Sequence, residues 1–236
     1  MDQAEFDKVA DEYLTIHSRN IRFTGEDPEY FARYKIEALR RRWTAERKGE
    51  PKAILDFGAG IGASLPHLSK AFPDADLTAL DVSKKSLAIA EKLTKVRANF
   101  ILYEGGTIPL PRERYDLIFS SCVFHHIDPC EHVGLLTQLR SLLRPGGWLV
   151  IFEHNPVNPV TRYIVATCEF DEKAVLVPAR TLMAREIAAG FSNVQRSYIG
   201  FFPRMLRSLR SWEPWLSALP IGAQYFTVAV KEPDPA

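Results

Sequence analysis

"AILDFGAGIGASLPHL", Ala53 to Leu68, starts as an apolar strand, passes through a glycine turn and continues as a helix. A strand that ends in such a turn and enters a helix makes a nucleotide pocket. The glycines let a ligand approach the backbone, and the helix N-terminus favours negative charge. The spacing bears on which nucleotide is held. A dinucleotide fingerprint reads G-x-G-x-x-G, whereas Gly58, Gly60 and Gly62 read G-x-G-x-G. Asp56 precedes the first glycine by two residues, inside the strand end. A carboxylate there repels a diphosphate and favours a ligand with positive charge near the turn.

Outward from this stretch the pattern alternates. "DLTALD", "NFILY", "YDLIFSS" and "WLVIFEH" read as strands, and "SKKSLAIAEKLT" and "CEHVGLLTQLRSLL" as helices. Repeating β–α units of this length predict a doubly wound, Rossmann-like α/β sheet, and the continuous apolar strands predict a sheet covered on both faces. Residues 1–50 read as a helical cap segment, with Pro28 suited to a first helical turn, and 51–236 as the core. Regular alternation stops after Asn155, and a proline-rich connection at about 156–180 reads as a cap over the carboxyl edge of the sheet. "ARTLMAREIAAG" then predicts a helix, "VQRSYIGFF" a strand, "RMLRSLRSWEPWL" a helix and "QYFTVAVK" a last strand. In the helix, Leu206, Leu209, Trp212 and Leu216 share one face and Arg204, Arg207 and Arg210 lie largely on another. The simplest reading is a helix that packs its apolar face on the domain. The other is a lid, or a surface for a lipid or an anionic substrate.

The formal net charge of +1 supplies no drive toward nucleic acid. Three cysteines, Cys122, Cys130 and Cys168, lack the paired spacing of a zinc site and suit a reducing compartment. The acidic start "MDQAEFDKVADEY" lacks the apolar core of a secretion signal, and no apolar run is long enough to span a bilayer. A soluble cytoplasmic protein without integral membrane association is the expectation. A homodimer is left open.

A second acid, Asp81, closes the next strand in "LTALDVS" and is placed to accept both hydroxyls of a ribose. A ligand with a ribose and a cation but no diphosphate fits S-adenosylmethionine. At this point "DFGAGIG", "LDVS", "YDLIFSSCVFHHI" and "LRPGGWLVIFEHNP" together resemble the class I S-adenosylmethionine-dependent methyltransferases, in their small-molecule branch. "FDKVADEY", "EDPEYFARYK", "NPVNPVTR", "CEFD" and "LPIGAQYFTVAVK" resemble the flanks of a bacterial subgroup.

The resemblance implies a seven-stranded, mostly parallel sheet with an antiparallel last strand. It implies that Gly58, Ala59 and Gly60 lie against the methionine part and ribose, that Asp56 orients the amino group, and that Asp81 holds the ribose with Val82 beside the adenine. Glu104, where the family usually has aspartate, and Gly105 fall at the adenine. Ser121, with Ser120 and Cys122, ends the fourth strand under the transferring methyl, and Tyr13 matches a helix tyrosine that closes over the cofactor carboxylate.

The activity implied is methyl transfer to an oxygen or nitrogen of a small-molecule acceptor, with carbon a further option, in bacterial secondary-metabolite or glycan and lipid biosynthesis. A hydroxyl acceptor calls for a base, and His125, His126 and His154 follow strand ends. In relatives the "HHI" pair is often structural. Adjacent strand residues point to opposite faces, so only one of Glu153 and His154 meets the acceptor. His17 and Lys35 read as surface residues that also come within reach of it. Two rivals remain: a nicotinamide-dependent oxidoreductase, against which the glycine spacing and Asp56 count, and a non-catalytic cofactor-binding partner.

Overall fold

A computed structural model describes residues 26–47, 49–168, 171 and 173–233. Tyr13 and His17 lie outside the described residues. The elements run α1 (Pro28–Glu46), β1 (Ala53–Phe57), α2 (Leu65–Ala71), β2 (Asp76–Asp81), α3 (Lys84–Thr94), β3 (Ala98–Leu102), β4 (Tyr115–Ser121), α4 (His132–Leu142), β5 (Leu143–His154), α5 (Pro159–Ala166), α6 (Ala179–Ala188), β6 (Ser192–Ile199), α7 (Glu213–Leu216) and β7 (Gln224–Val230). Short 3₁₀ turns cover Phe124–His126 and Arg204–Trp212.

The strands form one seven-stranded sheet in the order β3-β2-β1-β4-β5-β7-β6. Pairs from β3 to β5 are parallel, while β7 inserts antiparallel between β5 and β6. The chain reverses direction across the sheet between β1 and β4. Ligands of open α/β sheets bind at such a point, outside the carboxyl ends of the strands.

Local chemistry explains the element ends. Asp27 caps α1, its carboxylate accepting from the Tyr30 N–H at 2.6 Å, with Pro28 in the first turn. Ser83 caps α3 by accepting from the Ser86 N–H at 3.0 Å, which leaves Asp81 free of that task.

Strand alternation divides the core. Leu55 and Phe57 of β1 pack with Phe124, Leu136, Leu139 and Leu182 on one face. Ile54 packs with Ile36, Leu39, Trp43, Leu68 and Trp148 on the other. Trp43 fixes α1 to this second face. Its ring meets Trp148 edge-on at 5.1 Å and Phe72 at 6.1 Å, and its indole N–H donates to the Gly49 carbonyl at 2.8 Å.

The region 204–216 departs from the sequence expectation. Instead of one helix with a packed apolar face, it forms a 3₁₀ segment broken at Leu206, followed by the single turn of α7. No residue of the 3₁₀ segment is buried. Trp212 and Trp215 are exposed at 63% and 87%. Buried Glu213 supplies the anchor: it accepts from the Tyr34 hydroxyl of α1 and from the Phe201 and Phe202 N–H groups. Among the described residues no helix is long and apolar enough to cross a membrane.

Replacing Trp43 by Ala removes the contact that seats α1. A loss of about 3–5 kcal/mol of unfolding free energy is expected from the emptied aromatic site, measured by chemical denaturation. A loss below about 1 kcal/mol would show that α1 is held by other contacts.

Candidate active site

At the β1 end the chain turns through Gly58 and Gly60, both at positive φ (75° and 54°). A Cβ on Gly58 would lie 2.3 Å from Val123 Cγ2, so only glycine fits between β1 and the β4 exit. A Cβ on Gly60 would meet nothing within 4 Å, so the turn opens outward there. The Gly58 and Ala59 N–H groups both donate to the Leu80 carbonyl of β2, at 2.8 and 3.1 Å.

Two carboxylates flank this turn with contrasting partners. Asp81 is held: Oδ2 accepts from the Gly60 N–H at 2.7 Å and Oδ1 from the Ser83 N–H at 2.8 Å. Asp56 is 3% exposed, and its Oδ2 has no hydrogen-bond partner. Burial, with the Asp81 charge adding to it, raises the Asp56 carboxyl to about 8. An orphaned buried carboxylate oxygen beside an open glycine turn fits a ligand that brings a cationic donor, such as the ammonium of S-adenosylmethionine, and disfavours a diphosphate. Val82 is buried next to Asp81, while Glu104 and Gly105 are exposed just beyond the neighbouring β3.

The β4 exit forms the opposite wall. Ser121 ends the strand, and Cys122 adopts a left-handed conformation (φ 58°), uncommon for a residue with a side chain. Lys35 of α1 reaches this point. It is 7% exposed and donates to Ser121 Oγ at 2.8 Å and Cys122 Sγ at 3.2 Å, which corrects the surface placement expected for it. Burial alone would push the Cys122 thiol up. The Lys35 charge, with that of His154 and a hydrogen bond from it, outweighs burial and brings the thiol down to about 6. Gln224 of β7 lies 3.4 Å from His154 Nδ1 and 3.7 Å from Cys122 Sγ. Sequence reasoning passed over Cys122 as a functional group.

The three histidines separate in role. Glu153, fully buried, accepts through Oε1 from the Val123 and Phe124 N–H groups at 3.0 and 2.8 Å, and through Oε2 it meets His125 Nδ1 at 2.6 Å. His125 Nε2 faces Asp171 at 3.3 Å, so both ring nitrogens are occupied. Burial disfavours a charged His125, but Glu153 and Asp171 prevail and hold its pKa well above the ordinary value. For both acids burial acts upward, yet His125 and its neighbours bring each down to about 2. His126, also 3.4 Å from Asp171, is lowered to about 4 by burial and by the adjacent His125. His154 is half-buried at the end of β5, its ring 5.2 Å from that of His125. Both strand-end residues thus lie against His125, the fully buried Glu153 through its carboxylate and His154 through its ring.

Residues 54–147 match a family described as a methyltransferase domain. Over 117 residues the chain is 38% identical to a malonyl-[acyl-carrier protein] O-methyltransferase of Halalkalibacterium halodurans, covering 47% of this chain and 42% of that protein. It is 29% identical over 153 residues to a demethylmenaquinone methyltransferase of Thermotoga maritima, 65% of this chain and 61% of the relative. The chain thus spans less than two thirds of the length of these curated relatives. A crystallised methyltransferase from Archaeoglobus fulgidus superposes with a TM-score of 0.63 at 21% identity, over 84% of this chain and 94% of its own. One from Thermotoga maritima does so with 0.66 at 17% identity, over 98% and 99%. Strand order and family match converge: residues 54–147 form a methyltransferase domain, in a chain that has the fold of the class I S-adenosylmethionine-dependent methyltransferases.

Proposed function

We propose that this protein transfers a methyl group from S-adenosylmethionine to an oxygen of a small-molecule acceptor, nitrogen being the next choice. The observation that carries the reading is the buried, unpartnered Asp56 oxygen beside a turn that opens outward at Gly60. When bound, the cofactor supplies a methyl group already activated on a sulfonium, so the chain's task is to bind, orient and exclude water. Asp56 holds the amino group. Asp81, fixed in orientation by the Gly60 and Ser83 N–H groups, holds the ribose. Val82, Glu104 and Gly105 border the adenine, and Gly58, Ala59 and Gly60 line the methionine part.

The β4 exit is the wall nearest the acceptor. An acceptor that arrives ionised needs positioning alone. A hydroxyl passes its proton to His154, which stands at the strand end beside the Cys122 thiol. His125 has no nitrogen to spare for such a transfer, and His126 packs against it with ring centroids 4.2 Å apart. An oxygen acceptor is supported by relatives named malonyl-[acyl-carrier protein] O-methyltransferase and fatty-acid O-methyltransferase. The described parts of residues 1–50, with α1, and of the connection at about 156–180 are read as the cap over this wall.

Calorimetry with S-adenosylhomocysteine and with NADH tests the reading. S-adenosylhomocysteine is expected to bind and NADH not to. Pairing an ammonium with Asp56 draws its carboxyl below the value of about 8 that it has in the free protein. Binding at pH 7 should therefore release a fraction of a proton, seen as a heat that depends on the buffer. Asp81→Ala should weaken binding about 10- to 100-fold through loss of a charged hydrogen-bond acceptor. Asp56→Asn should abolish the proton release. NADH binding in place of S-adenosylhomocysteine, or an unchanged affinity in Asp81→Ala, would sink the assignment.

The same Asp56 links function to stability. Folded, its carboxyl keeps the proton up to about 8; unfolded, it releases it near 3.8. Its contribution to stability is therefore full below about pH 4 and is lost as the pH rises to about 8. Asp56→Asn should flatten that slope and stabilise the free protein at pH 8 by an amount of the order of 1–3 kcal/mol. An identical pH–stability profile in the two proteins would contradict this.

Lys35→Met tests the thiol. Alkylation of Cys122 by iodoacetamide, followed by peptide mass, should titrate near 6 in the parent protein and move upward, toward or past the ordinary 9.0, in the variant. An unmoved midpoint would show that the Lys35 charge does not govern Cys122.

A further inference from the structure

Among the described residues, one group of three side chains has the donor types and closeness of a metal site: His125, His126 and Asp171, whose ligand atoms all lie within 4.8 Å of one another. We propose that these three residues bind a divalent zinc-class ion, with Glu153 orienting His125 from behind. The proposal does not depend on the methyl-transfer reading.

Three features of the geometry support it. His125 Nε2 and His126 Nε2 stand 3.3 and 3.4 Å from Asp171 Oδ1. A tetrahedral ion with bonds of about 2.0–2.1 Å has ligand–ligand edges of about 3.3–3.4 Å, which the two His–Asp171 separations match, and the two imidazoles lie within 4.8 Å of each other. Second, His125 meets a buried carboxylate through its other nitrogen, Glu153 at 2.6 Å, and Glu153 is itself fixed by two backbone N–H groups. A metal-binding histidine is regularly oriented by such a carboxylate, which sets the tautomer and raises the basicity of the ligating nitrogen. Third, Asp171 also lines a cavity of about 530 Å³ with Pro159, Arg162, Tyr163, Val165 and Leu176. The cavity brings solvent to the Asp171 side of the cluster, where a three-ligand zinc site would take water as its fourth ligand.

Two nitrogens and one carboxylate point to zinc more than to magnesium or calcium, which take oxygen ligands and higher coordination numbers. The ion would tie the connection after α5 to the β4 exit. One backbone bond already joins the same segments, from the Val175 N–H to the His125 carbonyl at 2.8 Å. The site is thus a clamp on the β4 exit, beside His154.

The test uses the whole chain, stripped of metal by a chelator and titrated with zinc chloride against a chromophoric competitor. One equivalent should bind, and the melting temperature should rise with free zinc as linkage requires. Cobalt substitution should give the strong visible bands of four-coordinate Co²⁺ without a thiolate charge-transfer band. His126→Gln and Asp171→Asn should each weaken zinc at least tenfold, and Cys130→Ser should leave it unchanged. Zinc X-ray absorption on the parent protein reads the ligand set directly, so the question is settled even where a variant fails to fold. Failure to bind one equivalent, undiminished binding in both variants, or sulfur in the coordination shell would overturn the proposal. The last outcome would place the ion on a cysteine instead. Failure here would leave the S-adenosylhomocysteine result untouched.

Discussion

Glu153 holds the site together. It is fully buried at the end of β5, and its two oxygens take three partners on the β4 exit: the Val123 N–H, the Phe124 N–H and the His125 ring. A carboxylate removed from water is costly unless donors surround it, and here the donors are the backbone and ring whose positions matter. The Cys122 N–H donates to the Phe152 carbonyl one residue before Glu153, at 2.8 Å. The left-handed turn at Cys122 therefore lies between two ties to β5. That turn aims the thiol at Lys35 and His154 and sets His125 and His126 toward Asp171. A neutral side chain of the same shape would leave two buried N–H groups with a weaker acceptor, and the strained turn would lose much of its reason to persist.

In the proposed binding mode the two acids at the glycine turn divide the work in a different way. Asp81 is already solvated by two N–H groups and is an acceptor prepared in advance. Asp56 lacks such donors and is kept neutral by burial, so a cation must arrive before the charge is comfortable. Selectivity follows from the difference. A diphosphate meets one fixed negative charge and a second that its approach cannot stabilise, while an ammonium improves both. The cost falls on the free protein, where the Asp56 contribution to stability is expected to be lost as the pH rises to about 8. Binding sites that are unstable until filled are the expected outcome where function requires a buried charge.

The strand sequence made the sheet legible because parallel strands covered on both faces must be continuously apolar, and because the Gly58–Gly62 turn and the Ser83 cap fall where elements end. Asp56, Asp81, Gly58 and Gly60 were legible for the same reason: they sit at strand ends, and chain order alone brings strand ends to one edge. Lys35 was read as a surface residue although a contrary signal existed. Lys35, Leu39 and Trp43 follow at intervals of four on one face of α1, so a lysine on the buried face was readable; its partners, 86 and 87 residues away, were not. Asp171 lies in a connection without periodicity, where no pattern indicates which way a side chain turns. The 204–216 stretch failed for a third reason. Its spacing is helical and amphipathic, but amphipathicity states that a face seeks a partner without naming one, and Pro203 and Pro214 restrict the backbone on either side.

What remains is why an N-terminal helix and a C-terminal segment, distant in sequence, meet over this edge. Trp43 seats the far end of α1 on the sheet face, and Lys35 pins its middle to the β4 exit. Near its start, the Tyr34 hydroxyl donates to buried Glu213, and Arg210 lies over the Tyr30 ring at 4.6 Å and pairs with Glu26 at 2.8 Å. The contacts at the two ends differ in kind. At Trp43 they are apolar and hold α1 whatever the ligand state. Those at Tyr34, Tyr30 and Glu26 are polar or ionic, and the partly exposed Arg210–Glu26 pair is worth little alone. An element fixed at one end by burial and at the other by exchangeable polar contacts can yield at the second end without unfolding. Lys35 lies between the two, where any such yielding would change its distance to Cys122. The charge that lowers the thiol is therefore set by how the roof sits on the site.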